Sequence, residues 1–119
     1  MTKRWALTKR AQYLAVYKSG KAWVDNLVVV RALPNGCEYS RYGFSVTKNI
    51  GKAVARNHIK RLLKEICRTI SVKPGWDIVI IARPDAIKTD YHKLSKSVET
   101  LLFKAKLINK DEAVRAGAN

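Results

Sequence analysis

The sequence predicts an α+β fold, a two-layer α/β sandwich, for a single domain over residues 1–108. Two segments with helical periodicity and a third short helix alternate with runs rich in Val and Ile. The predicted order is α-β-β-α-β-α, with one further strand if the first long strand breaks near residues 24–26. A chain of 119 residues can bury a modest core without disulfides or a structural metal. Residues 109–119 have little to bury, and we expect a loose tail there.

The first half of the chain predicts one helix and two strands. Their residues are 7–18 for the helix, then 23–33 and 41–47 for the strands. Thr8 is the predicted N-cap of the helix because its hydroxyl can accept a hydrogen bond from a free backbone N–H group. Pro34-Asn35-Gly36 predicts a turn, so we expect the second strand to return antiparallel to the first.

The second half predicts a basic helix, a buried strand over residues 76–82 and a final helix. Pro74-Gly75 interrupts the chain before the strand, and Asp90 is the predicted N-cap of the last helix. The apolar positions of that helix follow a helical period: Tyr91, Leu94, Val98, Leu101, Leu102 and Ala105. We expect the helices to cover one face of the sheet. By the general rule for such connections, the strand–helix–strand unit of residues 43–82 would be right-handed.

The charge predicts a polyanionic partner. Lys and Arg number 24 against 9 Asp and Glu, which gives a net charge of +15. The excess lies mainly in residues 1–21, which hold no acid, and in 48–73, where Glu65 is the one acid. Nucleic acid is the leading candidate and an anionic membrane surface the second. The predicted strands and last helix can cover the apolar side of the basic helix, so we expect no membrane partner.

Nothing in the sequence predicts catalysis by protein side chains. The acids are scattered, and the one adjacent pair lies in the predicted tail. His58 and His92 lack ligands at metal-binding spacing, while Cys37 and Cys67 are read as incidental thiols. We therefore expect no catalytic residue, no metal site and no cofactor bound by the protein alone. The start of the chain has no signal-peptide core, and a cytoplasmic location is expected.

Residues 48–70 carry the most specific pattern. On a helix, Lys60, Arg61, Lys64 and Arg68 fall on one side, while the opposite side gathers Ile59, Leu62, Leu63, Ile66 and Ile70. A helix of this kind packs by its apolar side and presents a row of cations to a phosphate backbone. The N–H groups at its start also favour an anion beside Ala53 and Val54.

The local sequence resembles the signature of the bacterial ribonuclease P protein subunit. That family has a Gly-aliphatic-Ser-Val-Ser-Lys-Lys strand end, a Gly-x-Ala-Val turn and an Arg-Asn-Arg-x-Lys-Arg helix start. The matching segments here are Gly43-Phe44-Ser45-Val46-Thr47-Lys48, Gly51-Lys52-Ala53-Val54 and Arg56-Asn57-His58-Ile59-Lys60-Arg61. The similarity extends weakly from about residue 4 to about residue 107. His58 replaces the usual second Arg, and Asn49 stands where a second Lys is frequent.

The resemblance implies a function in tRNA maturation. In ribonuclease P the RNA subunit and its Mg²⁺ ions cleave the 5′ leader from precursor tRNA, and the protein holds substrate and RNA together. The implied partners are the ribonuclease P RNA and the precursor tRNA leader, with no DNA. It also implies a rare left-handed crossover, shared with a domain of a small-subunit ribosomal protein. The alternative is a non-catalytic basic RNA- or ribosome-binding protein on the same fold.

The resemblance also assigns site residues. Those that would bind the catalytic RNA are Lys48, Lys52, Arg56, Asn57, His58, Lys60, Arg61, Lys64 and Arg68. Those of the leader cleft are Tyr13, Tyr17, Arg31 and Ser45. Arg31 replaces an aromatic residue of the family, and either tyrosine can instead be a core residue. Trp23 and Trp76 are expected to pack in the core or at the sheet edge rather than contact RNA, and Trp5 to lie in a mobile arm.

Overall fold

Residues 5–108, the part of the chain that the computed structural model describes, form three α-helices and four β-strands. In chain order they are α1 (Arg10–Ser19), β1 (Lys21–Val24), β2 (Val28–Pro34), β3 (Arg41–Ser45), α2 (Ala53–Arg68), β4 (Trp76–Ala82) and α3 (Tyr91–Lys104). Short 3₁₀ turns occupy Lys48–Ile50 and Pro84–Lys88. The predicted tail, residues 109–119, lies outside the described residues, so the domain boundary at residue 108 stays a prediction.

The strand predicted over residues 23–33 is interrupted between β1 and β2, near the break that the sequence indicates at residues 24–26. The Asp25 carboxylate accepts hydrogen bonds from the backbone N–H groups of Leu27 and Val28, at 2.9 and 3.0 Å. An Asp side chain that bonds the backbone two and three residues on stabilises a tight turn. The turn lets β1 fold back antiparallel on β2.

The four strands form one sheet in the order β1-β2-β4-β3. β4 pairs antiparallel with β2 and parallel with β3. β3 therefore runs opposite to β2, as predicted, but β4 lies between them and the expected hairpin pairing is wrong. The reason is visible in β4, where Ile78, Val79 and Ile80 are completely buried. A strand that is apolar on both faces is stabilised in the centre of a sheet. The hand of the β3–α2–β4 crossover stays a prediction.

The helices lie on both faces of the sheet. The α+β sandwich is confirmed, with α2 and α3 covering the larger core that includes Val30, Ile80 and Leu102. The prediction that all helices share this face is wrong for α1, which packs Val16 against Val79 on the other side. Alternate residues of a strand point to opposite faces, so an apolar β4 needs cover on both.

The predicted helix starts are partly right. Asp90 caps α3, accepting a hydrogen bond from the Lys93 backbone N–H at 2.8 Å. Thr8, in contrast, is not the cap of α1, which begins at Arg10. The Gln12 side chain accepts hydrogen bonds from the backbone N–H groups of Thr8 and Lys9, at 2.9 and 3.0 Å. The hydrogen bonds thus run in the opposite sense to the predicted cap, because a side chain inside the helix accepts from the residues that precede it.

A partly buried ion pair joins the starts of β3 and β4. The Arg41 guanidinium donates to both oxygens of Asp77, at 2.7 and 2.8 Å, and Asn35 Nδ2 donates to Asp77 Oδ1 at 2.9 Å. The hydrogen bond to Asp77 raises the pKa of Arg41 above its ordinary value. Because the pair is bidentate and nearly buried, it fixes the register of the parallel strands at their first residues.

Candidate nucleic-acid interface

Helix α2 is amphipathic in the predicted manner. Ile59, Leu63 and Ile66 are buried in the main core, and Cys67 is buried beside them. Burial raises the pKa of the Cys67 thiol above its ordinary value. The apolar side of α2 is therefore fully used in packing, which leaves the other sides of the helix for binding.

The outermost side of α2 combines cations, an amide and one apolar residue. Asn57, His58 and Arg61 are exposed and line a shallow depression of about 390 Å³ together with Val54. Val54 is 83 % exposed, the most open of the large apolar side chains in the described residues. The sequence predicts Val54 only as a neighbour of a bound anion. Its position opposite the buried Ile59 on the helix is the sequence feature that indicates an exposed side chain.

A second group of cations lies on the flank of α2. Arg56, Lys60 and Lys64 are half-buried, whereas Arg61 and Arg68 are exposed. Lys60 and Arg61 are consecutive, about 100° apart around the helix, so the two groups point in different directions. By exposure the cations form two adjacent rows, an inner row of Arg56, Lys60 and Lys64 and an outer row of Arg61 and Arg68. The two rows meet at Lys64 and Arg68, which are one turn apart. Arg68 also lies 3.4 Å from Glu65, an exposed pair that contributes little stability.

The turn before α2 brings further cations to its amino terminus. Lys48 lies in the 3₁₀ turn and Lys52 directly precedes the helix. Gly51 between them has φ 153°, a conformation that favours glycine, and a Cβ there would meet Ile87 Cδ1 at 3.0 Å. The first turn of α2 contains no acid, so its N–H groups and these lysines form one positive end.

A small cavity joins the flank of α2 to the other face of the sheet. Its volume is about 140 Å³, and Tyr13, Lys60 and Lys64 line it together with Trp5. The expectation that Trp5 is mobile is wrong, because its ring centroid lies 4.8 Å from that of Tyr42 and it packs on the core. A predicted leader residue thus shares a cavity with two predicted RNA-binding lysines.

Tyr13 and Tyr17 lie on the sheet face that α1 covers, where both are half-buried. The Tyr13 ring lies directly over Gly43, since a Cβ built there would be 2.6 Å from Cε1 of the tyrosine. Burial raises the pKa of Tyr13, and a hydrogen bond with the Phe44 backbone offsets part of that rise. Each tyrosine therefore packs one part of its ring and leaves another open.

Arg31 and Ser45 lie on the same face as the tyrosines, at opposite sides of the sheet. Arg31 is in β2, and its Nη2 donates to the backbone carbonyl of Tyr17 at 2.7 Å. Ser45 ends β3, opposite Ile81 of β4, and is half-buried. The four predicted cleft residues thus share a face, with Tyr13 and Ser45 nearer the β3 edge and Tyr17 and Arg31 nearer β1.

The two remaining tryptophans pack on the core, Trp23 from the edge strand β1 and Trp76 from the start of the central strand β4. Trp23 and Trp76 are half-buried against the main core. Within residues 5–108, no group of three or more His, Cys, Asp or Glu side chains is placed to hold a metal ion. None of the described helices is long and apolar enough to cross a bilayer. What the described surface does offer is a cationic helix next to an aromatic sheet face.

A basic helix that packs by one side only, beside a sheet face with half-open aromatic rings, defines an RNA-binding protein of the α+β class. The family profile of Ribonuclease P matches residues 1–106. The chain belongs to the ribonuclease P protein component family.

Relatives and solved structures agree with this membership. The chain is 44% identical over 104 residues to the "Ribonuclease P protein component" of Dehalococcoides mccartyi, covering 87% of each. It is 39% identical over 108 residues to that of Caldanaerobacter subterraneus, covering 89% of this chain and 93% of the relative. The fold is similar to the RNase P protein of Staphylococcus aureus, with TM-score 0.80, 31% identity and coverage of 88% and 98%. It is also similar to that of Thermotoga maritima, with TM-score 0.75, 33% identity and coverage of 83% and 96%.

Proposed function

We propose that this chain binds the ribonuclease P RNA through α2 and the unpaired 5′ leader of precursor tRNA through the sheet face under α1. The complex removes the leader and leaves the mature 5′ end of the tRNA. The chain's own side chains bind and orient RNA, and the RNA subunit with its Mg²⁺ ions supplies the chemistry. A cytoplasmic location is part of the same prediction.

The observation that carries this proposal is the division of α2 into a buried side and two cationic rows. An ordinary solvated helix alternates acids and bases, whereas α2 has Glu65 as its one acid. Arg61 and Arg68 are exposed on the outside, where they can reach phosphates, and Asn57 can hydrogen-bond a base edge or a 2′-hydroxyl group. Val54 adds an apolar contact that a pure phosphate-binding surface would not need.

The proposed leader site uses the half-open rings of Tyr13 and Tyr17. Aromatic faces stack unpaired bases with little sequence preference, and each stack contributes about 1–3 kcal/mol. Because Tyr13 and the lysines of α2 line one cavity, a leader bound there would remain next to RNA held by the helix. The leader and the ribonuclease P RNA would therefore be bound next to each other in one complex.

Reconstitution tests the proposal. Full-length protein is added to a bacterial ribonuclease P RNA at a low Mg²⁺ concentration, and cleavage of precursor tRNA is followed by the size of the product. We expect the protein to raise the rate, since its cations replace part of the Mg²⁺ that shields the phosphates. RNA alone under the same conditions is the baseline.

Two outcomes would contradict the proposal. The first is cleavage at the same site by highly purified protein without RNA, which would place the chemistry in protein side chains. The second is an unchanged rate when RNA and protein are combined, which would favour a basic RNA-binding protein outside tRNA maturation. A variant with Lys93→Ala and Lys96→Ala on the exposed side of α3 serves as the control for lost charge away from α2.

A further inference from the structure

A groove on the opposite face from the tyrosines has no role in the proposed function. Two tryptophans form its walls, Trp23 from β1 and Trp76 from β4, and its volume is about 420 Å³. Sites for small organic groups have volumes of about 300–1,000 Å³. We call this the tryptophan groove; its remaining polar lining comes from Ser19, Lys21, Lys104 and Lys106.

The lining of the tryptophan groove combines aromatic faces with positive charge. Lys21 precedes Trp23 in β1, while Lys104 and Lys106 come from the end of α3. No carboxylate is among the residues that line it. Aromatic rings take up flat unpaired bases and lysines take up the phosphates that join them, so the pair of features is complementary to a single-stranded nucleic acid. A hydrophobic protein segment would offer no anionic partner to Lys21, Lys104 and Lys106.

Lys106 occupies a backbone position that ordinarily favours glycine. Its φ is 62°, and it is the one residue other than glycine with positive φ among those described. Its N–H bonds the Phe103 carbonyl at 2.9 Å and the Leu107 N–H bonds the Leu102 carbonyl at 3.0 Å, the pattern that closes a helix with a left-handed residue. The hydrogen bonds account for the backbone conformation but not for the choice of lysine, and Lys106 is one of the residues that line the tryptophan groove.

The tryptophan groove begins close to the proposed leader site. Ser19 lines the groove, and Tyr17 lies two residues earlier in α1. β1 is an edge strand, with β2 as its single neighbour in the sheet. A nucleic-acid strand that leaves the tyrosines can therefore pass around this edge into the groove.

We infer that the tryptophan groove binds a stretch of unpaired RNA nucleotides, with bases against Trp23 and Trp76 and phosphates near Lys104 and Lys106. This site is separate from α2 and from the α1 face of the sheet. The nucleotides belong to the distal part of a long leader, because the groove begins beside Tyr17 at the β1 edge of the sheet. This assignment rests on the proposed function.

Nuclear magnetic resonance of the full chain tests the site directly, because each tryptophan has one indole N–H signal. Six-nucleotide oligouridylate is titrated, with inorganic tripolyphosphate as the probe that has charge but no base. We expect the signals of Trp23 and Trp76 to shift saturably with oligouridylate and much less with tripolyphosphate. Trp23→Leu keeps an apolar side chain without a stacking ring, and it should weaken binding about 5- to 150-fold.

Lys106→Gly separates binding from stability. Glycine relieves the left-handed backbone, so the melting temperature should stay or rise, whereas the loss of the ammonium group should lower the salt slope of oligouridylate binding by about 0.7. Lys96→Glu, on an exposed side of α3 away from the groove, is the control and should leave the indole shifts unchanged. If Lys106 only closes the helix, Lys106→Gly should leave the salt slope of oligouridylate binding unchanged while the melting temperature stays or rises.

The holoenzyme tests the assignment to the leader. We expect Lys106→Gly to weaken binding of precursor tRNA with a leader of fifteen nucleotides but not of five. Weaker assembly of this variant with the ribonuclease P RNA, at unchanged binding of the long leader, would overturn the assignment. Indole signals of Trp23 and Trp76 that do not move with oligouridylate in the full chain would overturn the inference. Equal shifts with tripolyphosphate would overturn it as well.

Discussion

The Arg31 Nη2 atom donates a hydrogen bond of 2.7 Å to the backbone carbonyl of Tyr17, and thereby ties β2 to the last turn of α1. The same nitrogen lies 3.3 Å from the Gly20 carbonyl. A cation at the carboxyl end of a helix is favoured by the free carbonyls there. Arg31 is therefore placed to position Tyr17 as well as to contact a leader, and these two roles have different consequences on mutation.

Arg31→Met tests the positioning role. Methionine keeps the apolar stem but cannot donate, so both hydrogen bonds to the end of α1 are lost. We expect the free energy of unfolding to fall by about 1.5–3 kcal/mol, the range for hydrogen bonds that involve a charged group. Urea denaturation measures this loss, and binding of leader-bearing tRNA should weaken in parallel. If leader binding weakens at unchanged stability, Arg31 contacts the leader without holding α1.

Tyr17→Ala separates the leader site from the core. We expect the holoenzyme to lose about 1–3 kcal/mol of affinity for precursor tRNA with a leader of several nucleotides, because one stacking face is gone. Affinity for mature tRNA, which has no leader, should hardly change. Tyr17→Phe keeps the ring and should be mild. A core role instead predicts equal losses for both RNAs together with a lower melting temperature.

The sequence predicts features that depend on neighbouring residues in the chain, but it does not predict the order of the strands in the sheet. β4 matches its predicted residues 76–82, and Asp90 caps α3, because apolar runs and caps are local features. The insertion of β4 between β2 and β3 is not local. It follows from burial of Val79 against α1 and of Ile80 against α2 and α3, which requires the assembled sheet.

The candidate site was predictable to a similar extent. Helical periodicity placed Arg61 and Arg68 on the outer side of α2, where they are exposed. Periodicity does not distinguish Lys60 from these two arginines. Lys60 is half-buried beside Trp5 and Tyr42, which come from distant parts of the chain. The hydrogen bond between Arg31 and Tyr17 likewise joins residues 14 apart and has no signature in either local pattern.

Alkaline pH should destabilise the fold through Cys67 and Tyr42. Burial raises the pKa of both groups above their ordinary values of 9.0 and 10.0. Above about pH 9 the unfolded chain releases protons that the folded chain retains, so the free energy of unfolding falls as pH rises. Cys67→Ala should flatten this fall from about pH 9, and Tyr42→Phe from about pH 10. Identical slopes in wild type and both variants, measured by urea denaturation, would contradict the argument.

The two cationic rows of α2 should differ in what they bind. Replacing Arg61 and Arg68 by alanine should lower the log–log salt slope of ribonuclease P RNA binding by about 0.7–0.9 for each lost phosphate contact. Replacing Lys60 and Lys64 should reduce that slope and also weaken leader binding, because these lysines share a cavity with Tyr13. Lys93→Ala with Lys96→Ala is the charge-matched control. An unchanged slope in the Arg61 and Arg68 variant would mean that the outer row does not face the RNA.

Gly43→Ala should disturb the leader site through Tyr13. A Cβ at residue 43 would lie 2.6, 2.7 and 2.8 Å from Cε1, Cζ and the hydroxyl oxygen of Tyr13, closer than such atoms approach, so the tyrosine side chain must move. We expect a loss of about 1–3 kcal/mol in stability, the usual range for overpacking, and weaker binding of leader-bearing precursor. Binding of ribonuclease P RNA should hold, because the outer row of α2 is remote from the clash.

A double-mutant cycle identifies the clash as the cause. In a Tyr13→Ala background no ring stands over residue 43, so Gly43→Ala should cost less than it does in the wild type. The difference between the two costs is the coupling energy, expected at about 0.5–3 kcal/mol for residues in contact. Urea denaturation of the four proteins measures it. Additive costs would show that Gly43 is needed for the backbone of β3 and not for the approach of Tyr13, and the loss of leader binding would then need another explanation.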